Sequence, residues 1–81
     1  MDKWYMLESG FSGVNPKREQ WFKENPVFRF EILNGCAILK SRSGLTHWHT
    51  TPIKQFYCTP DCSYIRFVTA SGTVYNITEE V

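Results

Sequence analysis

The chain has 81 residues, a length that suits one domain and leaves no room for two, so we expect a single domain over residues 1–81. Nine Lys and Arg against eight Asp and Glu give a net charge of +1. This balance argues against a disordered charged tail and against duplex DNA binding driven mainly by charge. The first apolar stretch, residues 4–7, is too short for a signal peptide, and three cysteines are an odd number for a disulfide framework. We therefore expect a cytoplasmic protein with free thiols.

The sequence predicts one helix over about residues 16–25, because an Asn-Pro pair stands at its start and a second pair at its end. Asn is a favoured N-cap and Pro suits the first helical position, whereas a residue that precedes Pro is pushed out of the helical region. A helix of about two and a half turns is too short to be stable alone in water, so it must dock on the rest of the domain. We expect Trp21 and Phe22 to dock and Arg18 to face solvent.

A β-hairpin over about residues 27–42, turning at Asn34-Gly35, is the clearest local prediction. Asn-Gly favours a type I′ turn, in which both central residues have positive φ. A two-residue turn pairs Leu33 with Cys36 and Arg29 with Lys40. In this register one face of the hairpin, which includes Phe30 and Ile32, is almost wholly apolar and is expected to lie in the core, and this pattern fixes the pairing. The opposite face carries Arg29, Glu31, Lys40 and Arg42.

Further strands are expected over about residues 53–78, joined by turns at 59–62 and 70–72. Pro in the first of these turns and Gly in the second have the backbone preferences that such turns need. The preceding stretch, 45–51, is ambiguous, and Pro52 argues against a central strand there. Together the elements predict an α+β domain, with a small antiparallel sheet of about five to six strands and one short helix packed on it. A partly closed barrel is the alternative, because short twisted strands tend to curl.

A possible zinc site would combine the imidazoles of His47 and His49 with the thiolates of Cys58 and Cys62. Their spacing is unlike the usual ligand patterns, so we expect no metal and no cofactor. The same two histidines could act as base and acid in a small ribonuclease. The chain has no Gly-rich phosphate loop and no nucleophile elbow, so a non-catalytic role is favoured over an enzyme.

Six Phe, four Tyr and three Trp are more aromatic side chains than one small core needs, so some should anchor a partner. We expect Trp48 to project outward from a loop between His47 and His49. The alternative is that it folds back and plugs the end of a small barrel. The predicted partner-binding residues are Arg29, Lys40, Arg42, His47, Trp48, His49 and Arg66.

The favoured function is that of a small binding protein, an inhibitor or adaptor that docks on a larger protein or ribonucleoprotein. The alternative is direct binding of RNA or single-stranded DNA through the basic face, with Tyr57 and Tyr64 stacking on bases. No membrane partner is expected. In its short length, its many aromatics and its lack of a catalytic signature, the chain resembles small proteins that bacteriophages encode to bind host factors.

Overall fold

A computed structural model describes residues 3–8 and 15–80 of the chain. It confirms an α+β fold with a six-stranded antiparallel sheet and one short helix. The elements, in chain order, are β1 (Tyr5–Leu7), α1 (Pro16–Glu24), β2 (Phe28–Leu33), β3 (Cys36–Ser41), β4 (His47–Cys58), β5 (Tyr64–Thr69) and β6 (Val74–Glu79). Within the described residues, no helix has the length and apolar character that crossing a membrane requires.

The six strands are hydrogen-bonded in a closed ring whose order follows the chain. The short strand β1 closes this ring, because it pairs with β6 on one side and with β2 on the other. Its pairing with β6 extends from Tyr5 opposite Glu79 to Leu7 opposite Ile77. Its pairing with β2, within the described part of the chain, is the one register pair of Tyr5 and Phe28. Closure therefore depends on a few residues near the start of the chain.

The hairpin of β2 and β3 has the predicted register, with Leu33 opposite Cys36 and Arg29 opposite Lys40. Asn34 and Gly35 have φ of 52° and 78°, the left-handed backbone that a type I′ turn needs. The β5–β6 hairpin also follows the prediction, with Gly72 at φ 87° in its loop. Local turn chemistry thus fixes both hairpins.

Strand β4 corrects the prediction for residues 45–51 and Pro52. It runs without interruption from His47 to Cys58 and passes through Pro52. Its register shifts twice, once against β3 near Pro52 and once against β5 between Ile53 and Gln55. Pro is tolerated inside a strand at such irregularities, because the ladder there no longer requires its missing N–H. The first half of β4 pairs with β3 and the second half with β5, so one bent strand serves both neighbours.

The core is a column of aromatic rings that runs from the helix through the inside of the ring of strands. Ring centroids are 6.3 Å apart for Phe22 and Tyr75, 4.8 Å for Tyr75 and Phe67, and 5.4 Å for Phe67 and Phe30. Phe30 then stacks on Phe56 at 6.3 Å. We call this series the aromatic column. It connects the docked helix to the opposite end of the ring.

The helix docks as predicted, but Arg18 does not face solvent. Trp21 and Phe22 are buried, and the ring centroids of Phe22 and Phe28 are 5.4 Å apart. Arg18 is only 5% exposed, and its Nη1 donates to Thr73 Oγ1 at 3.2 Å. The reason is helical spacing, since Arg18 stands three residues before Trp21 and so shares its face.

Candidate interaction surfaces

The outer face of strands β2, β3 and β4 gathers four of the predicted site residues. Arg29 lies opposite Lys40, which lies opposite His47 on the next strand. Two residues further along each strand, Glu31 lies opposite Ile38, which lies opposite His49. We call this three-strand surface the histidine face. His47 and His49 share it because they are two residues apart on one strand. A ribonuclease that uses them as base and acid stays a prediction.

Next to the histidine face, and sharing Arg29 and Lys40 with it, Trp4 and three cations line one cavity in what we call the arginine cluster. Trp4 comes directly before β1 and so lies next to β2. The guanidinium carbon of Arg29 is 4.6 Å from the centroid of the Trp4 ring, and that of Arg42 is 5.1 Å away. Together with Lys40 and the turn at Ser43, these side chains line an open cavity of about 210 Å³. Sequence reasoning predicted the cations but not the contribution of Trp4, which depends on ring closure.

Two of these cations form ion pairs with carboxylates at the protein surface. Lys40 Nζ lies 2.9 Å from Glu31 Oε2, and Arg42 Nη2 lies 3.3 Å from Glu80 Oε1. The hydrogen bond from Lys40 lowers the pKa of Glu31 below its usual range. All four side chains are substantially exposed, so each pair contributes little to stability and can exchange with solvent. The arginine cluster therefore has a less positive electrostatic potential than its Lys and Arg residues alone suggest.

Trp48 does not project outward, and His47-Trp48-His49 is not a loop. The three residues begin β4, where alternate side chains point to opposite sides of the sheet. Trp48 lies opposite Leu39 and packs against the core, and its Nε1 donates to Tyr75 Oη at 3.3 Å. This is the alternative prediction, a Trp folded back into the interior. A direct contact between Trp48 and a partner consequently stays unsupported.

At the far end of the aromatic column, apolar side chains are exposed around an open cavity of about 380 Å³. Ile32 is 51% exposed, Leu33 61% and Phe56 49%. The floor of the cavity is Phe30, and Glu31 completes its lining. We call this surface the apolar mouth. Sequence reasoning missed it, because strand alternation assigned Ile32 to the core. Nothing in the pattern indicated that this end of the ring of strands would be left uncovered.

Arg66, the remaining predicted site residue, lies on a separate surface. It is on β5, and the whole of β4 separates it from Lys40 on β3. Its neighbour across the sheet is Tyr57, which is 56% exposed. The rings of Tyr57 and Tyr64 are 6.2 Å apart, and Tyr64 Oη donates to Asn76 Oδ1 at 2.7 Å. We call this surface the tyrosine face.

The four residues considered for zinc do not converge. Among the residues that the structure describes, no group of three or more His, Cys, Asp or Glu could hold a metal ion. His47 and His49 lie on the histidine face, whereas Cys58 ends β4 and Cys62 lies in the following turn. Burial, together with the nearby Cys62 thiol, raises the pKa of Cys58, which disfavours the thiolate form that binds metal.

Comparison with known proteins gives no relationship from which a function could be inferred. No family model matches the chain. No curated protein and no solved structure matches it either. Function must therefore be argued from the surfaces themselves.

Proposed function

We propose that this chain is a small non-catalytic binding protein of the cytoplasm, an inhibitor or adaptor that docks on a larger protein. The apolar mouth is the observation that carries the proposal. Three large apolar side chains, each about half exposed, lie together around one cavity. Contiguous apolar surface is costly to leave in water and marks sites at which soluble proteins meet their partners.

The mouth adjoins the histidine face, so a partner can contact both surfaces at once. Glu31 belongs to each, because it lines the mouth and pairs with Lys40 on the outer face. An apolar centre beside a polar and charged border is the usual composition of a protein interface. We assign the centre to Ile32, Leu33 and Phe56, and the border to Glu31, Lys40 and His49.

The test is affinity capture from lysate of the native cell, with and without nuclease, using Leu33→Asp as the critical variant. We expect wild type to capture one dominant partner protein, and this capture should persist after nuclease treatment. Leu33→Asp should abolish the capture, because a buried charge at the centre of the interface is strongly unfavourable. Leu45→Asp is the matched control, since Leu45 is 86% exposed but lies outside the mouth. Equal capture by the two variants would exclude the mouth as the docking site.

A second candidate function, direct binding of RNA or single-stranded DNA, is favoured by the tyrosine face. An exposed Tyr beside an Arg on an open sheet surface can stack on a base and pair with a phosphate. We expect Tyr57→Ser and Arg66→Gln each to weaken binding of a fluorescent single-stranded oligonucleotide in anisotropy titrations. The affinity should also fall steeply with salt. If Lys40→Gln weakened binding equally, simple charge attraction would explain the result.

A further inference from the structure

The arginine cluster has the composition of a site for a doubly charged anion. Arg29, Lys40 and Arg42 all line its open cavity of about 210 Å³. Three cations held this close repel one another, so they are stable together only with compensating groups. Among the described residues, the compensating groups include the ring of Trp4 and the carboxylates of Glu31 and Glu80.

Trp4 positions the two guanidiniums before any ligand arrives. Both lie over its indole ring, at 4.6 Å and 5.1 Å from the centroid. A cation over a Trp ring is attracted by the negative face of the π-system. The remaining cation, Lys40, is the direct cross-strand neighbour of Arg29. Guanidiniums held over the Trp4 ring lose less conformational entropy when they bind an anion.

The charge and number of the clustered cations favour a phosphate monoester over a carboxylate or a phosphodiester. A planar carboxylate has two oxygens, which one guanidinium satisfies, whereas a terminal phosphate presents three acceptor oxygens and nearly two negative charges. A phosphodiester in a nucleic-acid backbone has one charge per phosphate. The Trp4 ring is already engaged by two guanidiniums, so it is a poor platform for stacking on a base.

We propose that the arginine cluster binds a phosphate monoester carried by the docked protein partner, in the form of a phosphorylated side chain. The inference rests on the proposed function, since the phosphate belongs to the partner. The bound phosphate replaces the exposed ion pairs of Lys40 and Arg42 with stronger charge-assisted hydrogen bonds. Ser43 and Gly44, in the turn that follows β3, line the same cavity.

The test titrates the full chain with N-acetyl-phosphoserine amide and follows amide signals by NMR. We expect saturable shifts at Ser43 and Gly44, and affinity at least about tenfold above that for N-acetyl-glutamate amide. Lys40→Gln should weaken phosphoserine binding by about tenfold, whereas Lys17→Gln, the same change on an exposed helix residue, should not alter it.

Removal of the competing carboxylate gives a second test, with an effect of opposite sign. Glu80→Gln releases Arg42, so phosphoserine should bind more tightly, while Glu19→Gln on the helix should have no such effect. Equal responses to the cluster variants and the helix variants would overturn the proposal, as would glutamate binding as tight as phosphoserine. Tighter binding of a dinucleotide than of phosphoserine would assign the cluster to nucleic acid instead.

The test of the phosphate site can fail independently of the test of partner docking. Leu33→Asp changes the apolar mouth and leaves the cluster intact, so it should abolish partner capture but keep phosphoserine binding. Lys40→Gln should have the converse effect at the cluster and weaken phosphoserine binding by about tenfold. Phosphoserine binding without any partner capture would refute the docking function, and capture without phosphoserine binding would refute the phosphate site.

Discussion

At the scale of single residues, Asp61 shows how one side chain organises a turn. Its Oδ1 accepts hydrogen bonds from Thr59 Oγ1 at 2.9 Å, from Ser63 N at 3.1 Å and from Ser63 Oγ at 2.8 Å. These bonds lower the pKa of Asp61 from the usual 3.8 to about 2, and the two from Ser63 contribute most. The turn in which Asp61 lies also holds the beginning of the chain, because Lys3 Nζ donates to Asp61 O and Tyr5 Oη donates to Cys62 O.

This arrangement predicts that Asp61 makes stability depend on pH at the acid end. Its pKa is lower in the folded than in the unfolded protein, so the contribution is present above about pH 4 and is lost as the pH falls toward 2. Thermal unfolding should show wild type more stable than Asp61→Asn at pH 6, with the difference closing near pH 2. NMR titration of Asp61 should give a midpoint of about 2, and Ser63→Ala should raise it. A midpoint near 3.8 would contradict the structure.

At the scale of elements, the sequence predicted the helix and the hairpins, whose ends are set by local capping and turn residues. The helix has an N-cap, since Asn15 Oδ1 accepts from Arg18 N at 3.2 Å, and the hairpin has its Asn-Gly turn. Strand β4 was not predictable in the same way, because Pro52 is compatible with a strand only at a register shift that its neighbours impose. The orientation of Trp48 follows from β4, so an error about the strand became an error about the site.

In the candidate site, too, local patterns predicted some residues, and the rest depend on contacts between distant parts of the chain. Alternation along one hairpin placed Arg29, Lys40 and Glu31 on a common face, and their partners in the structure agree with that register. The addition of Trp4 to these cations, and the separation of Arg66 from them, both depend on the way the sheet closes into a ring. Closure is a contact between residues far apart in the chain, which no local pattern encodes.

At the scale of the whole molecule, the aromatic column joins the helix to the apolar mouth. A chain of 81 residues buries a modest core, so a few large rings supply much of its apolar burial. Phe22 connects the helix to this core through Phe28 and Tyr75. Phe56, at the other end of the column, stacks on Phe30 and is still half exposed. The same column that holds the fold together therefore ends as the proposed docking surface.

The column predicts that Phe22→Ala is among the most destabilising substitutions in the protein, although Phe22 lies on the short helix outside the sheet. Truncation of a buried Phe to Ala costs about 3–5 kcal/mol, because apolar burial is lost and a cavity remains. A domain of this size has a total stability of about 4–12 kcal/mol. Urea unfolding should therefore show a large part of the stability lost, while Leu45→Ala, at an 86% exposed position, changes it by less than about 0.5 kcal/mol. A loss below about 1 kcal/mol for Phe22→Ala would mean that the helix is not part of the cooperative core, because such a value is typical of a surface substitution.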